Sequence, residues 1–229
     1  MRINEIFESI SGEAGLTIPQ GAVCTFVRLQ GCNLECTYCD TKHSRGQKID
    51  SEMTIDQIKK EIEQKNNKKI LITGGEPLLQ KDELMKLLLW LFKNNYIVQI
   101  ETNGTIPIPY QYPVAASWNT NLSYIIDYKT HTSGMVRHTP TINKVYGNLE
   151  NTNSILKFVI GNGQDIVDAA RLIKTLNKKG YKGDFIISPM HADISSINWI
   201  RSAFKQCLSR VLANKLIFSL QLHKILNLP

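Results

Sequence analysis

No stretch of this sequence approaches the roughly 18 consecutive apolar residues that a membrane-spanning helix needs. LMKLLLWLF, residues 84–92, comes nearest; it is too short and reads as one buried face of a helix. The first ten residues, MRINEIFESI, lack a basic n-region followed by an apolar h-region. No secretion signal is therefore expected, and a cytoplasmic location without membrane attachment follows. There is no clear linker, internal repeat or low-complexity tail, so residues 1–229 read as a single domain. A basic stripe is missing too. The net charge of +7 is scattered, with small clusters only at NNKK (66–69) and LNKKGYK (176–182). That distribution argues against direct nucleic-acid binding and suits an anionic small substrate. Cysteine is scarce and odd in number: five residues, three of them inside eight positions. Such spacing speaks against a disulfide framework and for metal or redox chemistry.

What is present is an alternation of strand-like and helix-like segments. AVCTFVRL (22–29), KILIT (69–73), YIVQIET (96–102), SYIIDYK (123–129), ILKFVIG (155–161), DFIISPM (184–190) and LIFSLQL (216–222) read as strands. Several are apolar on both faces, as parallel strands covered by helices should be. TIDQIKKEIEQ (54–64) opens with a capping box, Thr54 and Gln57, and repeats Ile55, Ile58 and Ile62 at helical spacing. KDELMKLLLWLFKNN (81–95), QDIVDAARLIKTLNKK (164–179) and SSINWIRSAFKQCLSRVLA (195–213) read as three further helices. Residues 105–122 carry three prolines and cannot form one regular helix, and 130–153 read as loop. Repeated β-α units predict an α/β fold. With helices fewer than strands, it should be a reduced, open, partial TIM-type barrel of about six parallel strands.

The cysteines lie in RLQGCNLECTYCDTKH (28–43), just past the first of these strands, where barrel enzymes place their sites. Cys32, Cys36 and Cys39 have the spacing C-x3-C-x2-C. Thiolates select zinc, copper(I) or iron–sulfur clusters. With His43 as fourth ligand the set could close around a structural zinc. Alternatively, three thiolates could hold a four-iron cluster with one iron open to a small molecule. The next strand ends in Thr73-Gly74-Gly75-Glu76-Pro77. Glycines let backbone approach a ligand, a glutamate balances an ammonium, and a proline stiffens the turn. ETNG (101–104) closes the third strand and is first of all a turn signal. Cys24 and Cys207 look like core or surface residues.

The triplet, Tyr38 as the aromatic between its last cysteines, and the Gly-Gly-Glu-Pro element together resemble the radical S-adenosylmethionine enzymes. In that superfamily the methionine amine and carboxylate of the cofactor take the fourth iron, and an electron splits the cofactor to give a 5′-deoxyadenosyl radical. FESISGEAG (7–15), FVRLQGCNLECTYCDT (26–41) and FSLQLHKILNLP (218–229) are similar to motifs of the 7-carboxy-7-deazaguanine synthase family. The resemblance implies a radical ring contraction of 6-carboxy-5,6,7,8-tetrahydropterin with loss of ammonia, a step towards queuosine and related deazapurines. A glycyl-radical-enzyme activase shares the cysteine spacing but not the SISGE opening or the SLQLHK ending. A zinc-stabilised binding module is the alternative from another class.

The same resemblance implies the site. Cys32, Cys36 and Cys39 would hold a 4Fe-4S cluster, and Thr41 would bind Mg2+, for which a hydroxyl is a suitable hard-oxygen ligand. S-adenosylmethionine would meet Tyr38, Cys39 and Asp40 on the cysteine loop, then Gly74, Gly75, Glu76 and Gly104, then Lys129, and finally Ser188, Pro189 and Met190. The pterin would meet Ser11, Gly12 and Glu13, then Arg28, Thr102, His223 and Pro229. Arg28 lies among apolar strand neighbours, which favours a carboxylate partner for its guanidinium. His43 would be idle. Further expectations are a homodimer and a flavodoxin or ferredoxin as reductant. Two departures from the family pattern stand out: Ser11 and Ala14 replace its glutamine and second glycine, and Asp127-Tyr128-Lys129 replaces its Ser-Pro-Lys.

Overall fold

The computed structural model describes residues 1–46, 52–109 and 120–228. Eight strands form one sheet: β1 Ile3–Ile10, β2 Val23–Leu29, β3 Lys69–Gly74, β4 Ile97–Thr102, β5 Leu122–Tyr128, β6 Ser154–Ile160, β7 Phe185–Pro189 and β8 Leu216–Phe218. Their order in space is their order in sequence, and no pairing among the described residues joins β8 back to β1. The sheet is an open barrel, as expected. β2 to β8 run parallel, while β1 pairs antiparallel with β2. The expectation of about six parallel strands is thus corrected to seven, plus an antiparallel edge. β1 escapes a pattern search because Glu5 and Glu8 interrupt its apolar run. In the register Glu5 lies opposite Arg28 and Phe7 opposite Phe26.

Among the described residues seven α-helices accompany the eight strands: α1 Ile55–Gln64, α2 Lys81–Lys93, α3 Ile142–Asn151, α4 Gly163–Lys178, α5 Ile197–Cys207, α6 Arg210–Ala213 and α7 Leu222–Leu226. The predicted capping box starts α1, with Gln57 N donating to Thr54 Oγ1 (3.2 Å) and Thr54 N to Gln57 Oε1 (2.7 Å). α3 lies where a loop was expected. Its asparagines and glycine are weak helix formers, but Val145 and Leu149 are buried, and packing overrides propensity. The long helix expected over 195–213 breaks at Leu208, where Ser209 caps α6. The strand expected over 216–222 stops at Phe218, and α7 follows. The Pro-rich segment between β4 and β5 lies, at 110–119, outside the described residues.

The two faces of the sheet do different work. One face presents Ile70, Ile72, Val98, Ile100, Ile126, Leu156, Phe158 and Ile187 to the helices, forming the main core. Each buried Ile or Leu contributes about 2 kcal/mol, so stability rests on this outer layer. The opposite, concave face carries Arg28, Thr73, Glu101, Asp127 and Lys157 among its residues, and a polar interior there is free for binding. Residues 11–22 fold back into the concavity. Thr17 Oγ1 donates to Val98 O (3.1 Å), Ile18 N donates to Gln99 Oε1 (3.3 Å), and Ile18 is fully buried.

One buried carboxylate anchors the rim. Asp165, in the first turn of α4, accepts from Gly161 N (2.8 Å), Asn162 N (2.9 Å) and Thr132 N (2.7 Å), besides the Thr132 hydroxyl. Burial alone would raise its pKa, but these donors hold the carboxyl below the usual range. Through Thr132 and Ser133 it also steadies the cysteine loop, since Thr37 N donates to Ser133 O (3.1 Å). Asp165→Ala is expected to cost about 3 kcal/mol of stability, from lost charge-assisted hydrogen bonds and a lost cap. Urea titration measures this; a loss below about 1 kcal/mol, the worth of one ordinary hydrogen bond, would show the network to be dispensable.

Candidate active site

Every parallel strand in the described chain except β8 ends at one cavity of about 710 Å³. The cysteine loop after β2 supplies Cys32, Cys36, Tyr38, Cys39, Asp40 and Thr41 to its wall. Gly74 and Gly75 come from the end of β3, Thr102 from β4, Lys129 from just past β5 and Met190 from just past β7. Gly12, Glu13, Arg28 and His223 complete the set of anticipated residues in the lining. Residues separated by two hundred positions in sequence thus meet in one space.

The others stand behind the wall. Glu76 is fully buried: it accepts from Leu78 N (2.9 Å), Thr102 Oγ1 (2.7 Å) and Asn103 N (2.7 Å). It ties the end of β3 to the end of β4, and what the cavity meets there is glycine backbone. Ser11 is also fully buried, with its hydroxyl donating to Glu13 O (3.0 Å). Gly104, Ser188 and Pro189 do not reach the lining, and Pro229 lies outside the described residues. His43, the potential fourth metal ligand, does line the cavity, with Nε2 3.6 Å from Glu5 Oε1.

Close packing explains the glycines. A Cβ on Gly75 would lie 2.0 Å from Gly31 O, so the β3 turn presses against the start of the cysteine loop. A Cβ on Gly12 would lie 2.1 Å from His223 Nδ1. Leu222 N donates to Gly12 O (2.9 Å), and this backbone bond sets α7 beside the 11–22 loop. His223 Nε2 then approaches Asp40 Oδ2 at 3.5 Å, with Lys224 Nζ 3.1 Å from the same oxygen.

Several cavity residues were not singled out from the sequence. Lys157, in the middle of β6, contacts Glu13 and lies 3.5 Å from Asp127 Oδ2. Asp127 in turn holds Lys129 Nζ at 3.0 Å, and that ammonium lies 5.6 Å from the Tyr38 ring centroid. Burial would lower the Lys157 ammonium, but Glu13 and Asp127 outweigh it and push it above the ordinary lysine range. Gln221 Nε2 donates to the other Glu13 oxygen (3.0 Å). Glu5 accepts from Arg28 Nε at 2.6 Å, and the Arg28 guanidinium lies 5.3 Å from the Phe7 ring centroid. The signal for Lys157 was a charge inside ILKFVIG, the same clue that marked Arg28. In the sequence Glu101 stands only at the head of a turn signal.

The donor set fits the implied groups. Burial pushes the thiols of Cys32 and Cys36 up, so thiolates there require a cation to balance them. Among the described residues no three Cys, His, Asp or Glu side chains converge on a single metal ion. The Tyr38 hydroxyl and Asp127 Oδ1, both on cavity-lining residues, are buried and have no hydrogen-bond partner among the described residues. Buried polar atoms of this kind mark places where a ligand completes the network.

Glu101 is the cavity carboxyl with a pKa near neutrality. Burial raises it to about 7, with the neighbouring charge of Glu13 adding to the effect, although Thr73 Oγ1 donates to it (3.0 Å). Across the window from the ordinary carboxylate range to about 7, the folded chain keeps a proton that the unfolded chain releases. Stability therefore falls as pH rises through it. Glu101→Gln is expected to flatten the decline in melting temperature between about pH 5 and 7.5, and an unchanged slope by scanning calorimetry would show Glu101 to be ionised throughout.

Comparison with known proteins places this architecture. The model of the radical SAM superfamily matches residues 26–191, the span from β2 through the end of β7. A 7-carboxy-7-deazaguanine synthase of Methanospirillum hungatei JF-1 is 36% identical over 231 residues, covering all of this chain and 86% of the relative. Another, from Clostridium acetobutylicum, is 33% identical over 196 residues, 85% of this chain and 83% of the relative. The crystal structure of QueE from Escherichia coli superposes with a TM-score of 0.67 and 25% identity, over 96% of this chain and 92% of that one. Streptococcus suis SuiB, at 13% identity and a TM-score of 0.52 over 82% of this chain and 44% of that one, shares the fold alone. This chain belongs to the radical SAM superfamily and, within it, to the 7-carboxy-7-deazaguanine synthase family.

Proposed function

We propose that this chain converts 6-carboxy-5,6,7,8-tetrahydropterin into 7-carboxy-7-deazaguanine and ammonia. The observation that carries this reading is the single cavity in which the three-cysteine loop meets Glu13, Arg28 and His223, brought from three distant segments. The whole chain acts as one catalytic domain. Neither rival is favoured: relatives matching along the chain are deazaguanine synthases, and His43 faces Glu5.

Cys32, Cys36 and Cys39 would hold a 4Fe-4S cluster, which supplies the electron that cleaves S-adenosylmethionine. Tyr38, Cys39, Asp40, the Gly74-Gly75 backbone, Lys129 and Met190 surround the space for that cofactor. Glu76 and Gly104 act from behind the wall by fixing the β3 and β4 ends, and Ser188 and Pro189 shape the approach to Met190. Thr41, on the wall beside Cys39, is the hydroxyl for Mg2+. Arg28 is oriented through Nε by Glu5 and through its face by Phe7, and its terminal fork suits the pterin carboxylate. The Glu13 carboxylate accepts from the guanidine-like edge of the pterin. Gly12 makes room for His223, Ser11 shapes the turn, and Thr102 and Pro229 remain substrate contacts by family likeness. Loss of ammonia needs a proton on the departing nitrogen, and Glu101 is the carboxyl that retains one to about pH 7.

The family likeness further supports a flavodoxin or ferredoxin as reductant, a homodimer and a cytoplasmic location. No helix among the described residues is long and apolar enough to cross a membrane.

Anaerobically reconstituted protein should be brown, hold about four irons, and yield the deazaguanine when given reductant, S-adenosylmethionine and the carboxytetrahydropterin. Cleavage of the cofactor beside an untouched pterin would sink the substrate assignment, and a colourless protein with one zinc would sink the whole reading. Arg28→Lys should raise KM for the pterin by about ten- to a hundredfold, because a point charge replaces a bidentate fork. Steady-state kinetics at fixed iron content check this; an unchanged KM would remove Arg28 from the substrate contacts.

A further inference from the structure

Lys157 stands between two groups of residues that the reading above assigns to different ligands. On one side it contacts Glu13, whose other oxygen is held by Gln221 Nε2 at 3.0 Å. On the other it lies 3.5 Å from Asp127 Oδ2, the same oxygen that holds Lys129 Nζ at 3.0 Å. Asp127 and Lys157 are direct neighbours across the β5–β6 ladder, so the backbone fixes their side chains on the concave face together. The result is an alternating row, Glu13, Lys157, Asp127, Lys129, running from the substrate contacts to the cofactor contacts. All four side chains line the cavity, and Lys157 is only 6% exposed.

A buried row of this kind has a property that isolated pairs lack. Each charge is shared by two partners, so engaging one end redistributes the hydrogen bonds of the rest. A pterin edge that donates to Glu13 competes with Lys157 for that carboxylate. The lysine then leans on Asp127, and Asp127 releases its hold on Lys129. That ammonium becomes free for the carboxylate of S-adenosylmethionine. We propose that Lys157 is a positioning residue that couples the two ligands, so that pterin binding at Glu13 strengthens S-adenosylmethionine binding at Lys129 through the Lys157–Asp127 bridge. The inference rests on the assignments of Glu13 to the pterin and Lys129 to the cofactor. Neither Lys157 nor Asp127 need touch a reacting atom. By linkage, the cofactor strengthens pterin binding by the same factor.

The test is a set of calorimetric titrations on reconstituted protein without reductant, so that nothing turns over. S-adenosylmethionine is titrated with and without saturating 6-carboxy-5,6,7,8-tetrahydropterin. For the natural sequence, the pterin should lower the Kd for S-adenosylmethionine about fivefold or more, the lower range of coupling between linked sites. Lys157→Met should abolish that difference, and Lys157→Arg, which keeps the charge and can span both carboxylates, should restore part of it. Asp127→Asn keeps the Glu13–Lys157 pair and should also lose the coupling; it serves as the decisive variant if Lys157→Met fails to fold. Equal Kd values with and without pterin in the natural protein would overturn the proposal, as would coupling that survives in Asp127→Asn. Failure of the natural protein to bind the pterin at all would overturn the substrate reading and the coupling with it. Independent binding of both ligands would overturn the coupling alone.

Discussion

A lysine in the middle of a buried parallel strand has to be neutralised where it stands, and in this molecule Glu13 is brought to it. That contact draws the 11–22 loop into the concave face of the sheet, where Thr17 and Ile18 bind β4. It also fixes the carboxylate that Gln221 joins from the far end of the chain. An open sheet has no closing strand to shield its interior. Here the loop and the segment after β8 do the shielding, with Ala14 N donating to Ser219 Oγ (2.8 Å) and Leu222 N to Gly12 O (2.9 Å). The Glu13 side of the cavity is in this sense built by the same groups that plug the barrel.

The side of the cavity formed by the cysteine loop and the β3 turn follows a different logic. Its wall is made of the cysteine loop, strand ends and tight turns. Glu76 illustrates the division between support and contact. A carboxylate at the end of a glycine pair suggests an ammonium partner, yet three internal donors already claim it. Its effect reaches the cavity through Thr102 and Asn103. Lys129, by contrast, turns its ammonium to the Tyr38 ring, with Asp127 between the lysine and the rest of the charged row.

The fold was legible wherever apolar periodicity was uninterrupted, and it blurred wherever a functional charge broke the pattern. β1 escapes the pattern because Glu5 and Glu8 sit in it, and Glu5 meets Arg28. α3 reads as loop in sequence because asparagine and glycine are weak helix formers, whereas its buried Val145 and Leu149 decide the matter. The site was legible in the cysteine spacing, the glycine pair and the terminal motifs, which are local in sequence. Lys157, Asp127 and Gln221 were not, because their meaning arises only when β5, β6 and the final segment lie side by side. Charge in an apolar strand was the available clue, and it applied to Lys157 as well as to Arg28.

The span of the Glu13–Gln221 contact, 208 residues apart in sequence, has a consequence for the order of assembly. Neighbouring strands in this sheet are neighbours in the chain, so most of the barrel can form from local contacts as synthesis proceeds from the N-terminus. The cavity floor cannot. Until residues 219–223 leave the ribosome, Glu13 and Lys157 face water on the side that α7 later covers. The buried core cluster is thus complete in sequence by Leu212, whereas the binding site still needs residues 219–223.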